Sequence, residues 1–146
     1  MNAWVMLAAA VAVSYVVGSV PTGLWLGLRL RGVDIREHGS KNIGATNTLR
    51  VLGKGLGAIA LIGDIAKGAV AVLVFARMAS WEFAPIVCGL AAIAGHTWSV
   101  FLKFGGGKGV ATSAGVFLGL CPVPMLIAMG VFAAVVGARG MVRPGR

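Results

Sequence analysis

Two polar segments that could bind an anion interrupt this otherwise apolar sequence. The first, residues 38–50, reads HGSKNIGATNTLR, and no acidic residue follows Glu37 until Asp64. Glycines allow successive backbone N–H groups to converge into an anion-binding concavity, because no Cβ blocks the turn. The segment therefore predicts a phosphate site, although a flexible polar loop with positive charge would have a similar composition.

Side-chain donors within residues 38–50 support the same prediction. A planar guanidinium matches the oxygens of a phosphate, whereas hydroxyl and amide groups supply single hydrogen bonds. The donors are Ser40, Asn42, Thr46, Asn47 and Arg50.

The second polar segment, residues 104–112, reads FGGGKGVAT and leads into an apolar run. Glycines followed by Lys108 at the start of a predicted helix again favour phosphate binding. A Walker A motif would need Gly at position 102 and Ser or Thr at position 109, where this chain has Leu102 and Gly109. The segment therefore does not support ATP hydrolysis, and a plain turn between helices is the alternative interpretation.

Asp64 and Lys67 lie inside an apolar block, in the stretch IGDIAKGAV. Residues three apart share a helical face, so the two side chains can form an ion pair. Ionisable groups inside a membrane span are costly and mark functional sites by default, and we interpret this pair as structural support for such a site. His96 precedes the second polar segment, and we interpret it as a hydrogen-bonded residue that orients that segment.

The composition is that of a membrane protein. Hydrophobic residues make up 58% of the 146 residues and charged residues only 12%, with a mean hydropathy of +0.92. The formal net charge is +9, and the basic residues lie mostly between apolar blocks, which favours anionic headgroups or an anionic substrate over nucleic acid. Cys88 and Cys121 lie far apart in apolar runs, so neither a metal site nor a redox pair is expected.

Four apolar blocks predict the architecture: Ala3–Leu28, Gly55–Ala79, Phe83–Leu102 and Val110–Val136. Prolines 122 and 124 interrupt the last block, and we expect a hairpin of two short helices there. The blocks together predict an all-α polytopic protein with about five membrane helices. The positive-inside rule places the loops at 29–54 and 103–109 in the cytoplasm.

Three motifs in this order resemble those of the bacterial acyl-phosphate:glycerol-3-phosphate acyltransferase family of integral membrane enzymes. The first combines GSVP at Gly18–Pro21 with DIREHGSKNIGATNTLR at Asp34–Arg50. The second is DIAKG at Asp64–Gly68, and the third is GHTWSVFLKFGGGKGVAT at Gly95–Thr112. Together they cover most of residues 18–115.

The resemblance implies transfer of a fatty acyl group from an acyl-phosphate to the 1-hydroxyl of glycerol 3-phosphate, which yields lysophosphatidate and phosphate in phospholipid synthesis. It implies a multi-pass protein of the bacterial cytoplasmic (inner) membrane, surrounded by membrane lipid, with its site loops facing the cytoplasm. It implies no cofactor, no metal ion and no nucleic acid. Like the family, the chain lacks an H-x-x-x-x-D motif, since Ile43 and Phe101 lie five residues after His38 and His96.

The resemblance also assigns roles by motif position. Ser40, Arg50 and Lys108 would be catalytic and would bind the phosphate of glycerol 3-phosphate, which would itself assist deprotonation of the hydroxyl. The acyl-phosphate head would bind to Asn42, Gly44, Ala45, Thr46, Asn47, Gly106 and Gly107. The residues Asp64, Lys67 and His96 would support the site.

Residues 1–146 are expected to form one membrane acyltransferase domain. The family continues with a segment whose His and Asn line the phosphate site, and the end of this chain, GARGMVRPGR, contains neither residue. We therefore expect the chain to lack the family's C-terminal segment. A non-catalytic membrane carrier, or an interaction subunit that keeps the anion-binding loops, is the alternative.

Overall fold

The computed structural model describes residues 1–139, and this part of the chain is helical without strands. Residues 140–146, the end of the Arg-rich tail, lie outside the described residues. The α-helices are α1 Ala3–Ser19, α2 Thr22–Arg31, α3 Ala45–Leu52, α4 Lys54–Leu73, α5 Ala84–Thr97, α6 Val110–Leu120 and α7 Pro122–Arg139. Short 3₁₀ helices cover Ile35–Glu37, Phe75–Met78 and Val100–Leu102. The predicted all-α fold is confirmed.

Several helices are long and apolar enough to cross a membrane. By length and composition these are Lys54–Met78, Ala84–Leu102 and Pro122–Arg139, and α1 with α2 would make a fourth span. α6 is apolar but has only 11 residues. Large apolar side chains point outward from these helices, as lipid-facing residues do, and Ile62 and Phe132 are 66% and 70% exposed. The number of five membrane helices stays a prediction.

A bend divides the first apolar block, which was predicted as one span. α1 ends at Ser19, α2 begins at Thr22, and their axes differ by 44°. Pro21 lacks an N–H group and disfavours helical geometry in the residue before it, and Val20 is accordingly extended. The carbonyl groups of Ser19 and Val20 are therefore available to side chains of other helices.

As predicted, the fourth block divides into two helices next to Pro122, but only the first of them is short. The helix breaks at Cys121, and α7 then runs for 18 residues, which is long enough to cross a membrane by itself. Pro122 and Pro124 lie in the first turn of α7, where a missing N–H group removes no helical hydrogen bond. The two prolines thus begin a helix rather than form a turn.

Glycines allow two pairs of helices to pack with their backbones in contact. Gly18 and Gly95 lie at the contact of α1 with α5, where a Cβ would collide with the backbone of the facing helix. Gly68 and Gly115 do the same between α4 and α6. Such small-residue contacts replace the hydrophobic driving force that is missing between helices in lipid.

The substitution Gly68→Ala should destabilise the protein by about 1–3 kcal/mol, because the new Cβ would collide with the backbone oxygen of Thr112. Gly55→Ala is the matched control on the same helix, since nothing lies within 4 Å of its Cβ position, and it should be neutral or stabilising by up to about 1 kcal/mol. Unfolding of the detergent-solubilised variants measures both effects. Equal stability of the two variants would contradict the close packing of α4 on α6.

Candidate active site

The side chain of Asn47 organises the first polar segment from the inside. Its Nδ2 group donates to the backbone oxygens of Ile35, His38 and Asn42 at 2.9, 3.2 and 2.8 Å. Its Oδ1 accepts from the backbone N–H of Ser40 at 3.0 Å. Asn47 is only 1% exposed, so its side-chain amide stabilises the fold of the segment. Only its backbone would be able to contact a substrate.

Helix α3 forms inside this segment and begins without a side-chain cap. Its first internal hydrogen bond runs from Thr48 N–H to Gly44 O, and the N–H of Gly44 is already bound by Asn42 Oδ1 at 2.8 Å. Within residues 1–139, the N–H groups of residues 45–47 have no protein acceptor. Free N–H groups and the helix dipole together make this end of α3 suited to an anion.

Arg50 lies on the surface beside Gly39, where a Cβ would be 3.3 Å from Arg50 Cδ. The two residues help to line a surface cavity of about 440 Å³. Arg36, by contrast, is paired with Asp34 at 2.7 Å, and its guanidinium holds the pKa of that carboxyl below its usual value. Among the described residues Arg50 has no acidic partner, so its guanidinium is available to a ligand.

The second polar segment packs tightly against the end of α5. A Cβ on Gly106 would collide with the backbone oxygen of His96, and one on Gly107 would collide with its Nε2 atom. The N–H of Gly107 donates to the backbone oxygen of His96 at 3.0 Å. These glycines are therefore required for close approach, and the Gly107 N–H is already occupied.

Helix α6 begins at this loop, again without a side-chain cap, because its N-cap residue is Gly109 at φ +74°. In the described chain the N–H groups of residues 110–112 have no acceptor. Lys108, one residue before the cap, is exposed. The second segment thus shares an uncapped helix N-terminus with the first, and here a cationic side chain also lies directly before the helix.

A buried ion pair lies behind the glycine loop, and the predicted pairing of Asp64 with Lys67 is confirmed. Lys67 Nζ is 2.9 Å from Asp64 Oδ1, and the two side chains are 5% and 2% exposed. The same Nζ is 2.8 Å from the backbone oxygen of Val20 and 2.9 Å from His96 Nδ1. The ammonium thus has hydrogen bonds to Val20 and His96, whereas Asp64 Oδ1 neutralises its charge without hydrogen-bond geometry.

The residues just before the second polar segment lie close to the first segment. Leu102 packs against the cluster of Leu24, Ile35 and Ile43 that lies beneath the first segment. The rings of Trp25 and Phe101 meet edge to face with their centroids 5.4 Å apart.

The structure brings the predicted residues together in two groups. Ser40, Asn42, Gly44, Ala45, Thr46, Asn47 and Arg50 form the first, and Asp64, Lys67, His96, Gly106, Gly107 and Lys108 form the second. Within the described range no hydrogen bond connects Lys108 with Ser40, and no contact is seen that brings Lys108 to Arg50. That these three bind one phosphate stays a prediction.

Sequence reasoning missed two side chains, those of Ser99 and Tyr15, that connect the end of α5 to α1. Ser99 Oγ donates to the Ser19 backbone oxygen at 2.6 Å, and Tyr15 Oη donates to the Trp98 backbone oxygen at 2.6 Å. Tyr15 is the only tyrosine in the chain and lies in an apolar block, which is a signal that the sequence offered.

Comparison with known proteins identifies the family. The profile described as "Glycerol-3-phosphate acyltransferase" matches residues 8–146. The chain belongs to this glycerol-3-phosphate acyltransferase family. Relatives of that name from Desulforudis audaxviator and Geobacter sulfurreducens are each 51% identical over 125 residues, which cover 86% of this chain. The matched part is 63% and 64% of the length of these relatives, so the chain spans less than two thirds of them.

Two solved structures share the fold of this family member. Both are crystal structures of PlsY, described as an integral membrane glycerol 3-phosphate acyltransferase, in a glycerol 3-phosphate form and a lysophosphatidic acid form. Their TM-scores are 0.82 and 0.79 at 35% and 34% identity. Each match covers 89% of this chain, and 65% and 64% of the PlsY chain. The protein is therefore a multi-pass integral membrane protein.

The substitution Asn47→Asp should destabilise the first polar segment by at least about 2 kcal/mol, because it replaces three N–H donor contacts with a buried carboxylate facing carbonyl oxygens. Asn42→Asp is the matched control, since it keeps the oxygen that accepts from Gly44 N–H. Limited proteolysis between residues 35 and 52, together with thermal unfolding, reports the difference. If both variants resist the protease like the wild type, Asn47 does not hold the segment together.

Proposed function

We propose that this protein transfers a fatty acyl group from an acyl-phosphate to the 1-hydroxyl of glycerol 3-phosphate in phospholipid synthesis. The C–O bond between the acyl carbon and the phosphate breaks, an ester forms, and lysophosphatidate and inorganic phosphate leave. The observation that carries the proposal is the pair of uncapped helix N-termini, at α3 and α6, each within a polar segment that also carries an exposed cationic side chain, Arg50 in the last turn of α3 and Lys108 just before α6. Two anion sites suit a reaction in which both substrates carry a phosphate.

The relatives support this choice of substrates. PlsY, which shares the fold, has been crystallised in forms named for glycerol 3-phosphate and for lysophosphatidic acid. The three sequence motifs in which this chain resembles the acyl-phosphate-dependent enzymes include both helix N-termini.

In this proposal Ser40, Arg50 and Lys108 bind the phosphate of glycerol 3-phosphate. All three are exposed, and no acidic residue in the described chain pairs with Arg50 or Lys108. The negative charge of the substrate phosphate would therefore bind to the Arg50 and Lys108 side chains, which no acidic residue neutralises.

The acyl-phosphate head in turn binds at the backbone. In the proposal the free N–H groups of residues 45–47 bind it together with Gly106, whereas the N–H groups of Gly44 and Gly107 already have partners. Fixed N–H donors of this kind stabilise negative charge that develops on the acyl oxygen.

The chemistry needs little beyond positioning. An acyl-phosphate is already activated, and holding two bound reactants in the attacking geometry can contribute about 7–11 kcal/mol. The phosphate of glycerol 3-phosphate assists deprotonation of its own hydroxyl, and the proposal includes neither a metal ion nor a cofactor.

We place the protein in the cytoplasmic (inner) membrane of a bacterium, as one domain comprising residues 1–146. Basic residues are concentrated in the loop at 29–54, which supports a cytoplasmic location for both polar segments. Both segments would then meet water-soluble glycerol 3-phosphate at the membrane surface, while the acyl chain of the donor stays in lipid.

Membranes that contain this chain, given acyl-phosphate and radiolabelled glycerol 3-phosphate, should form labelled lysophosphatidate and release one phosphate per product. Thin-layer chromatography of the lipid extract measures the product, and membranes without the chain are the control. Folded protein that makes no labelled lipid would refute the proposed activity and favour a non-catalytic membrane protein.

The substitution Lys108→Ala should lower kcat/KM by about 100-fold or more, because it removes a charged hydrogen bond to a substrate phosphate. Membrane insertion should be unaffected, since Lys108 is exposed. Lys103→Ala removes the same charge from an exposed position in the same loop, and its activity should change less than about threefold. Similar losses in both variants would mean that the loop acts only through its overall charge.

A further inference from the structure

The buried group formed by Asp64, Lys67 and His96 connects more of the chain than a simple ion pair would. The three side chains come from α4 and α5, and Lys67 also binds Val20 at the bend between α1 and α2. We infer that this group positions the phosphate-binding glycine loop at 105–109, with the His96 ring as the mechanical link. The inference rests on the proposed function for the role of that loop, but its geometry stands independently.

The hydrogen-bond chemistry fixes the state of the ring. As an ammonium paired with Asp64, Lys67 Nζ can only donate, so His96 Nδ1, 2.9 Å away, accepts. The imidazole is then neutral and carries its proton on Nε2, the nitrogen next to Gly107. Lys67 therefore sets both the tautomer and the orientation of the ring.

The ring transmits this orientation to the loop. His96 Nε2 lies where a Cβ of Gly107 would be, so the loop rests directly on the ring. The backbone oxygen of the same residue holds the Gly107 N–H at 3.0 Å. Any rotation of the imidazole would push on Gly107 and shift the neighbouring Lys108.

The other end of the group is anchored to the first polar segment. Lys67 binds the carbonyl of Val20, which lies directly before Pro21 and helix α2. On α2, Gly23 packs against the first polar segment, at the backbone oxygen of Ile43 and the side chain of Thr48. Lys67 thus lies at a point from which both polar segments are held. Displacement by even about 1 Å at a distance from the chemistry can cost a large factor in rate.

The test compares Lys67→Met with Lys54→Met, the same change at an exposed position on the same helix. Hydrogen–deuterium exchange of the intact protein in detergent reports on residues 105–109. We expect exchange there to rise by about tenfold in Lys67→Met and to remain unchanged in Lys54→Met. The KM for glycerol 3-phosphate should rise by about fivefold or more, whereas a loss of folded protein alone would lower the maximal rate at constant KM.

Removal of Lys67 leaves Asp64 buried without its partner, which could unfold the protein. The double variant Asp64→Asn with Lys67→Met removes both charges. It tests the positioning of the loop at 105–109 if the single variant does not fold. It should also show faster exchange at 105–109, because the His96 ring loses its donor.

Exchange at 105–109 equal to the wild type in the folded double variant would overturn the inference. Faster exchange spread evenly over all helices would also overturn it, since the group would then act on the whole fold. Faster exchange confined to the loop in the variant, together with a folded wild-type protein that makes no lysophosphatidate, would support the positioning role and refute the proposed function.

Discussion

Lys67 carries a positive charge into an apolar helix interior, where each of its three protons needs an acceptor. Only one of its polar partners, the counter-charge Asp64, comes from its own helix. The others are the Val20 carbonyl, which the bend at Pro21 frees from helical hydrogen bonding, and a ring nitrogen of His96. The charge can therefore be buried only when α4, α5 and the α1–α2 bend are all in place. The polar motifs at Gly18–Pro21, Asp64–Gly68 and Gly95–Thr112 meet in space for this reason.

Glycine has two separate uses in this protein. At positions such as Gly68 and Gly107 it permits backbone or ring atoms to approach within a distance that a Cβ would prevent. At Gly109 it supplies a positive φ just before a helix, and no side chain then caps the free N–H groups of α6. Both uses occur in the loop at 105–109. Gly107 lets this loop pack directly against the His96 ring, and Gly109 leaves the N-terminus of α6 open to an anion.

The sequence was sufficient to predict the helical class, the apolar blocks and the Asp64–Lys67 pair, because hydropathy and helical spacing are local properties. It did not predict the bend at Pro21, since a proline in an apolar run can kink a span, end it or be tolerated within it. The internal role of Asn47 was equally invisible. Its partners lie up to 12 residues away, and their positions depend on a loop path that no local pattern specifies. The break next to Pro122 was predicted, but the full length of α7 was not, because prolines favour turns and first helical positions alike.

Backbone donors suit a site at the boundary between lipid and water. A phosphate held by long side chains alone would require several of them to lose their rotamer freedom, whereas the N–H groups of α3 and α6 are already fixed by their helices. Those helices are in turn fixed by buried contacts that exclude water, at Asn47 for α3 and at the His96 ring for the loop before α6. Cationic side chains such as Arg50 and Lys108 then need only reach the bound anion from the surface. The division explains why Lys67 and His96 contact each other in the interior, while Arg50 and Lys108 remain without an acidic partner among the described residues.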